Sequence, residues 1–309
     1  MPAPLPPVSP HFYSARLLQA MAGGDHARFL ADGGRGLRPR LARALELAAI
    51  EPGQTVVDLG CGRGEAAAHA ARMGAAVIAL DYSLDALRLS GTTAAVVAPL
   101  GDVAPAAADA SNLPLSDGCA DRVLWLDVIE HLHPWQVRAT LAEVRRILRP
   151  GGFVVIHTLP NRWALLVAYP LLRAVAPSLP ASPRSAYERA VHVNEQSPLS
   201  LKRALTAAGF ASRVWVEEWS TVQAGRQAPD GGRVLDGGQG PDGGPFLEGG
   251  LSGGGFPDPQ RTWGYPALRR PAVRLVAAGA MRTPLRWWVG NDIFAVARPD
   301  RGHFVSPTR

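Results

Sequence analysis

The residues best suited to chemistry form one short run, Asp58-Leu59-Gly60-Cys61-Gly62-Arg63-Gly64, directly after an apolar segment. Glycine tolerates positive φ and carries no Cβ, so the backbone of such a loop can approach a ligand closely. If a helix follows, its first N–H groups can bind a carboxylate or a phosphate. The run therefore predicts a ligand-binding loop at the carboxyl end of a strand.

A second acidic residue, Asp81, ends the next apolar segment, residues 76–80. A carboxylate at that position can accept two hydrogen bonds from ribose hydroxyls. The dinucleotide fingerprint requires its third glycine where this chain has Glu65, whose carboxylate would stand beside a pyrophosphate. The spacing therefore disfavours an NAD-dependent oxidoreductase.

Short apolar segments and amphipathic segments alternate around these residues, which predicts strands and helices in turn. Strands are predicted at residues 55–59, 76–80, 103–108, 122–126, 153–157, 212–219 and 292–297, and helices at 37–50, 66–73, 136–148 and 198–208. Pro105 places the third strand at a sheet edge, because proline cannot donate to a neighbouring strand. The pattern indicates an α/β fold with a mostly parallel sheet covered on both faces.

Five segments in this order resemble the motifs of class I S-adenosylmethionine-dependent methyltransferases of the small-molecule type, similar to quinone-biosynthesis methyltransferases. The matching segments are residues 56–64, 80–83, 108–115, 127–132 and 148–152. The resemblance covers residues 55–157, about a third of the chain. It implies a Rossmann-like, seven-stranded, mostly parallel sheet with helices on both faces and an antiparallel last strand, for which residues 292–297 are suited.

The resemblance also implies S-adenosyl-L-methionine as cofactor and assigns its amino-acid part to the glycine loop. Gly60, Cys61 and Gly62, with Gly64 behind them, would cradle that part of the cofactor. Asp58 would support the loop and the cofactor's ammonium group. The alternative for Asp58 is a cap on the loop without a role in binding.

The adenosine part is assigned by the same resemblance to the ends of the next strands. Asp81 would bind the ribose and Tyr82 would pack on the adenine. Asp109 and Ala110 would flank the adenine edge, and Asp127 would lie near the methionine moiety. Tyr82 could instead be a core aromatic residue, and Asp109 could be a turn former.

Methyl transfer from a sulfonium is an in-line displacement in which the protein mainly aligns the nucleophile, so a catalytic side chain is optional. Histidine suits the role of general base near neutral pH. His131 is the candidate base, because it follows the fourth predicted strand on the side where substrate should meet cofactor. The alternatives, His133, His157 and His192, are weaker, and each histidine could be a capping or core residue.

The composition limits the other functions. The net charge is +6, yet Lys202 is the sole lysine and the arginines are scattered, so a nucleic-acid partner is not expected. Cys61 and Cys119 are too few for a disulfide framework, and closely spaced Cys/His zinc ligands are missing, so no metal is predicted. We expect a cytoplasmic protein, since the chain shows neither a secretory signal nor an apolar run of membrane-spanning length.

The predicted organisation follows from shifts in composition. It comprises an N-terminal arm and cap (1–36), with a loose proline-rich start at residues 1–10, a methyltransferase core (37–220), a Gly/Pro-rich disordered insertion (221–262), a basic helical segment with the final strand (263–298) and a tail (299–309). The basic stretch 266–288 ends in Trp287-Trp288 and could lie on an anionic membrane surface, or it could simply be a solvated helix face. With the apolar residues 163–180, it favours a lipophilic or ring-bearing substrate.

Two other functions stay open on the sequence. A nucleic-acid methyltransferase is one, although residues 126–130 lack the Asn/Asp-Pro-Pro-aromatic signature of enzymes that methylate base amino groups. A non-catalytic regulatory protein that binds S-adenosylmethionine is the other. The intact glycine loop favours the enzyme.

Overall fold

The computed structural model describes residues 5–14, 26–175, 177, 179–184, 186–217 and 282–300. The predicted insertion, residues 221–262, lies outside the described residues, and so does the greater part of the basic segment that follows it.

A seven-stranded sheet forms the centre of the fold, with the strand order β3-β2-β1-β4-β5-β7-β6. The strands are β1 Thr55–Leu59, β2 Ala76–Asp81, β3 Asp102–Ala107, β4 Ala120–Leu126, β5 Leu148–Thr158, β6 Phe210–Glu217 and β7 Asp292–Pro299. Strand β7 runs antiparallel to both of its neighbours, and the pairs among β1 to β5 are parallel. The predicted mostly parallel sheet with an antiparallel last strand is confirmed.

Helices flank the sheet on both faces. They are α1 His26–Asp32, α2 Pro39–Ala48, α3 Glu65–Arg72, α4 Leu84–Val97, α5 Pro134–Ile147, α6 Tyr169–Val175, α7 Ala186–Val191, α8 Pro198–Ala207 and α9 Arg286–Val289. Successive strand residues point to opposite faces. Val56 accordingly packs in the apolar cluster that holds α2 and α3, whereas Val57 packs in the cluster that holds α5 and α8.

The strand order defines where a ligand can bind. The chain runs outward from β1 through β2 to β3 and then returns to place β4 on the other side of β1. The loops after β1 and β4 therefore leave the carboxyl edge of the sheet in different directions, and the crevice between them is where open α/β sheets bind ligands.

The structure confirms the edge position of one predicted strand and changes the bounds of another. Strand β3 lies at the sheet edge and pairs Pro105 with Ala79, as its proline predicted. Strand β5, in contrast, begins at Leu148, before its predicted start at residue 153, and includes the Pro150-Gly151-Gly152 segment. The pairing of β5 with β4 has a register shift near Arg122, so the Pro150-Gly151-Gly152 segment forms an irregularity within the strand.

Residues 5–10 do not form the loose arm that the prolines of this region predicted. Residues 5–14, called the arm below, pack on the protein with a 3-10 turn at Pro10–Tyr13. The indole Nε1 of Trp135 donates to the carbonyl oxygen of Leu5 over 3.0 Å, and the Tyr82 hydroxyl donates to that of Val8 over 3.1 Å. The carbonyl groups of this proline-rich segment accept hydrogen bonds from side chains at the end of β2 and on α5.

The predicted basic helix is also shorter where the structure describes it. Within residues 282–289, α9 takes up Arg286–Val289, and residues 266–281 lie outside the described part. None of the helices in the described ranges is long and apolar enough to span a membrane.

Candidate functional site

The loop between β1 and α3 is shaped by three glycines. Gly60, Gly62 and Gly64 have φ values of 77°, 51° and 77°, in the left-handed region that side chains disfavour. A Cβ on Gly60 would lie 2.4 Å from Cγ2 of Val128, and one on Gly64 would lie 2.3 Å from Oγ of Ser90. A Cβ on Gly62 would meet no protein atom within 4 Å, so this backbone faces open space.

Asp81 fastens the glycine loop to the end of β2. Its Oδ2 accepts the N–H of Gly62 over 3.0 Å, and its Oδ1 accepts the N–H of Ser83 over 2.9 Å. Burial raises the pKa of Asp81, although these backbone donors oppose the shift. Each carboxylate oxygen still has a lone pair for a ligand hydroxyl. The structure therefore brings the two predicted cofactor-binding segments into direct contact.

Asp58 is a buried carboxyl group that the described residues do not fully satisfy. Its side chain is 3% exposed, and its Oδ2 has no hydrogen-bond partner among the described residues. Burial raises the pKa of Asp58 to about 7, and a hydrogen bond from the backbone of Ala67 opposes this. A ligand cation beside this oxygen would compensate the cost of burial, so the site fits a ligand that carries an ammonium group. The neighbouring Cys61 is buried, which raises the pKa of its thiol and keeps it neutral.

The residues predicted to contact adenine lie at the ends of β2 and β3. The backbone N–H of Ala108 donates to the backbone carbonyl oxygen of Asp81 over 3.0 Å, which holds these two strand ends together. Tyr82 is 40% exposed, so it is not a core aromatic residue. Asp109 is exposed, and its Oδ1 accepts the backbone N–H and the hydroxyl of Ser111, as a turn former would. Ala110 beside it is partly buried, and a contact of either residue with adenine stays a prediction.

Asp127 belongs to a network that the sequence analysis missed. Nε and Nη2 of Arg40, on α2, each lie 2.9 Å from its Oδ2. Nδ1 of His157 contacts its Oδ1, and Nε2 of His157 lies 3.1 Å from Oδ1 of Asp292. Asp127 has a φ of 58°, which is uncommon for a residue with a side chain. The predicted contact of Asp127 with the methionine moiety stays a prediction, since its carboxylate is already engaged by two partners.

The charges of this network stabilise one another. Burial opposes ionisation of Asp127, but Arg40 and His157 outweigh it and hold the pKa of Asp127 well below the usual value. Burial likewise lowers the pKa of His157, but the carboxylates of Asp127 and Asp292 raise it to about 9. The ends of β4 and β5 and the start of β7 are therefore joined by a protonated imidazole at neutral pH.

His131, the candidate base, lies under the arm in a 3-10 turn that follows β4. The Tyr13 hydroxyl is 2.9 Å from its Nδ1, and the ring of His192 packs edge-on against it with centroids 4.7 Å apart. Burial lowers the pKa of His131 to about 4, so its imidazole is neutral at physiological pH. Tyr13 is far from His131 in sequence, and no sequence pattern connects the two residues, so this contact could not be predicted. Of the alternatives, His133 caps α5 and His157 belongs to the Asp127 network.

The methyltransferase domain model matches residues 57–156, the stretch from β1 through β5. A demethylmenaquinone methyltransferase of Clavibacter sepedonicus is 35% identical to this chain over 188 residues, which cover 56% of this chain and 73% of that protein. An uncharacterised methyltransferase of Synechocystis is 35% identical over 124 residues, which cover 38% of this chain and 54% of that protein. The chain thus matches about half the length of this second relative.

The fold is similar to that of phosphoethanolamine N-methyltransferase 2 of Haemonchus contortus, solved with phosphomonomethylethanolamine and S-adenosylhomocysteine. The TM-score is 0.57 at 14% identity, with 94% of this chain and 58% of that chain covered, and the likeness concerns the fold alone. The sheet order and the matched domain define a class I methyltransferase fold. The chain belongs to the class I S-adenosylmethionine-dependent methyltransferase family.

Proposed function

We propose that this chain transfers a methyl group from S-adenosyl-L-methionine to a small lipophilic or aromatic molecule by in-line displacement. The observation that carries this proposal is the pair of loops after β1 and β2, which Asp81 joins through the backbone of Gly62. The cofactor would supply both the reactive carbon and the leaving group, so the chain's own task is to bind and orient.

The described residues divide that task. The open space at Gly62 lets a ligand approach the backbone, and the unsatisfied oxygen of Asp58 suits the ammonium group of the cofactor. Asp81, already oriented by two backbone donors, would accept from the ribose hydroxyls. Orientation of this kind, fixed before the ligand binds, lowers the entropic cost of reaching the reactive geometry.

Proton removal from the acceptor is the step in which a side chain could take part. His131 stays the candidate for this role, because it is neutral and its turn packs against the glycine loop through the neighbouring Val128. Replacing His131 by alanine would lower turnover if this is right, and unchanged turnover would contradict it.

A surface near the start of β7 supports a lipophilic substrate. The rings of Trp163 and Trp288 stack with centroids 4.7 Å apart, and Leu166, Leu171 and Leu285 beside them in the chain are 62%, 66% and 58% exposed. Residues 162–175 and 282–290, called the apolar surface below, contain four arginines and no acidic residue. Apolar and aromatic side chains with arginines suit an anionic phospholipid surface. We propose that the apolar surface contacts such a membrane, where a demethylmenaquinone-like acceptor would be found.

Calorimetry on the full chain tests the cofactor. We expect S-adenosylhomocysteine to bind and NAD to give no heat, and Asp81→Asn to weaken binding by about 10-fold to 100-fold, since hydrogen bonds to charged groups contribute about 1.5–3 kcal/mol. Asp85→Asn is the matched control, because that carboxylate lies on α4, close to Asp81 in the chain, and pairs with the exposed Arg88. Binding of NAD, or no loss on Asp81→Asn, would contradict the proposal.

Vesicle co-sedimentation tests the membrane contact. The chain should bind phosphatidylglycerol vesicles and not phosphatidylcholine vesicles, and Trp288→Ala should weaken the binding several-fold. Leu100→Ala is the control, since Leu100 is fully exposed and outside the apolar surface. Equal binding of Trp288→Ala and the native chain would exclude the apolar surface as the contact.

A further inference from the structure

Three side chains with metal-ligand chemistry converge beside the candidate cofactor site. Glu130 and His131 lie in the 3-10 turn after β4, and His192 directly follows α7. Each offers one ligand atom, and these atoms lie within 4.8 Å of one another. Glu130, His131 and His192 are called the His-Glu cluster below.

The backbone holds the two parts of the His-Glu cluster together. The N–H groups of Val193 and Asn194 donate to the carbonyl oxygen of Glu130 over 2.9 and 3.1 Å. The segment after α7 is therefore fastened to the turn after β4, and the two histidine rings pack edge-on at 4.7 Å. The backbone therefore brings together the two segments that carry the ligand atoms.

The polar groups of the His-Glu cluster are not fully satisfied by the described residues. Nδ1 of His192 is buried and has no hydrogen-bond partner among them. Glu130 is 1% exposed, its Oε2 accepts the hydroxyl of Thr158 over 2.8 Å, and no ion pair to it exists in the described part of the chain. The nearby cations Arg40 and His157 are engaged by Asp127. A buried carboxylate without a cation is costly.

We propose that Glu130, His131 and His192 bind a divalent transition-metal cation of the zinc type. Two imidazoles and one carboxylate form a ligand set that zinc accepts, and three protein ligands leave a coordination position open for water or substrate. Zinc–nitrogen bonds of about 2.0–2.1 Å place tetrahedral ligand atoms about 3.3 Å apart. The ligand atoms, which lie within 4.8 Å of one another, must therefore move closer by up to about 1.5 Å. Rotation of the side chains would supply that movement.

The contacts of His131 are compatible with this role. The Tyr13 hydroxyl lies 2.9 Å from Nδ1, and a hydrogen bond on one ring nitrogen orients a histidine that binds metal through the other. The ring also hydrogen-bonds to the backbone of Val191, a contact that metal binding would replace.

The His-Glu cluster is adjacent to the cofactor loop. Val128, two residues before Glu130, contacts the backbone of Gly60, and the ring of Tyr13 lies 5.5 Å from that of Tyr82. A cation here would act as a Lewis acid on an acceptor oxygen and lower the pKa of its hydroxyl. With a cation bound, His131 is a ligand and is not free to act as the general base, so the cation would take over the activation of the acceptor. Metal binding itself does not depend on the proposed methyl transfer.

The test is titration of the full chain, without a polyhistidine tag and after treatment with a chelator, with Co²⁺ and with Zn²⁺. We expect one equivalent of Co²⁺ to bind with visible absorption typical of nitrogen and oxygen ligands, and Zn²⁺ to displace it. Mg²⁺ should not compete, because it prefers an all-oxygen octahedral site. No saturable binding by the native chain would overturn the proposal.

Two variants and a control assign the ligands. His192→Phe keeps an aromatic ring against His131 but removes both nitrogens, and Glu130→Gln removes the charge; each should weaken Co²⁺ binding at least 100-fold. His11→Ala is the control, because His11 is an exposed histidine of the arm, and it should bind like the native chain. His192→Phe also removes a nitrogen that has no hydrogen-bond partner among the described residues, so this variant should keep the native unfolding midpoint. It therefore decides the test if Glu130→Gln does not fold. Native affinity in His192→Phe would refute the site.

Discussion

Gly62 is the position at which packing and ligand binding can be separated experimentally. A Cβ there meets no protein atom within 4 Å, whereas a Cβ on Gly60 would lie 2.4 Å from Cγ2 of Val128. Both residues have positive φ. Alanine at either position therefore carries the same backbone penalty, and the steric penalty differs.

The magnitudes follow from these contacts. The left-handed backbone costs about 1–2 kcal/mol for a residue with a Cβ, and overpacking costs about 1–3 kcal/mol more. We expect Gly62→Ala to lower the free energy of unfolding by about 1–2 kcal/mol and Gly60→Ala to lower it by about 2–5 kcal/mol. Val128→Ala in the Gly60→Ala background removes the clashing atoms, so the pair should show a coupling of about 1–3 kcal/mol.

Binding should show the opposite order. The new methyl group of Gly62→Ala enters the space that we assign to the cofactor, and an overlap costing about 1–3 kcal/mol weakens binding by about 5-fold to 150-fold. Urea denaturation gives the stability, and calorimetry with S-adenosylhomocysteine gives the affinity. Unchanged affinity in Gly62→Ala, or a stability loss equal to that of Gly60→Ala, would refute this view of the loop.

Two further predictions concern the Asp127 network. The pKa of His157 is raised from 6.5 to about 9. Its proton therefore stabilises the folded state fully below pH 6.5, by about 3 kcal/mol, and this stabilisation is lost as the pH rises through 9. Urea denaturation gives the free energy of unfolding at pH 6.5 and at pH 10. The decrease between these two pH values should be smaller in His157→Gln than in the native chain by about 3 kcal/mol. An identical decrease in both would contradict the raised pKa of His157. Arg40→Gln should cost about 2–4 kcal/mol at pH 7, because it removes a cation from a largely buried carboxylate. Arg88→Gln, which breaks an exposed pair, should cost less than about 0.5 kcal/mol, and equal losses would show that the Arg40 pair is no stronger than a surface pair.

The sequence by itself determined the sheet and the first two loops of the site. Gly60, Gly62 and Asp81 could be found because each belongs to a contiguous pattern in which an apolar strand is followed by its loop residues. Residue type also placed β3 at the edge, since Pro105 lacks a donor. In these cases the physical cause acts within a few residues, so one stretch of sequence contains it.

Tertiary structure alone decided which side chains meet at the carboxyl edge of the sheet. Arg40, Asp127 and Asp292 come from separate elements, and they converge because the strand order brings β4, β5 and β7 side by side. His131 meets Tyr13 of the arm and His192 in the same way. Periodicity and composition report which face of an element is apolar, but they carry no information on which distant polar residue will lie opposite. That depends on how the whole chain folds back on itself.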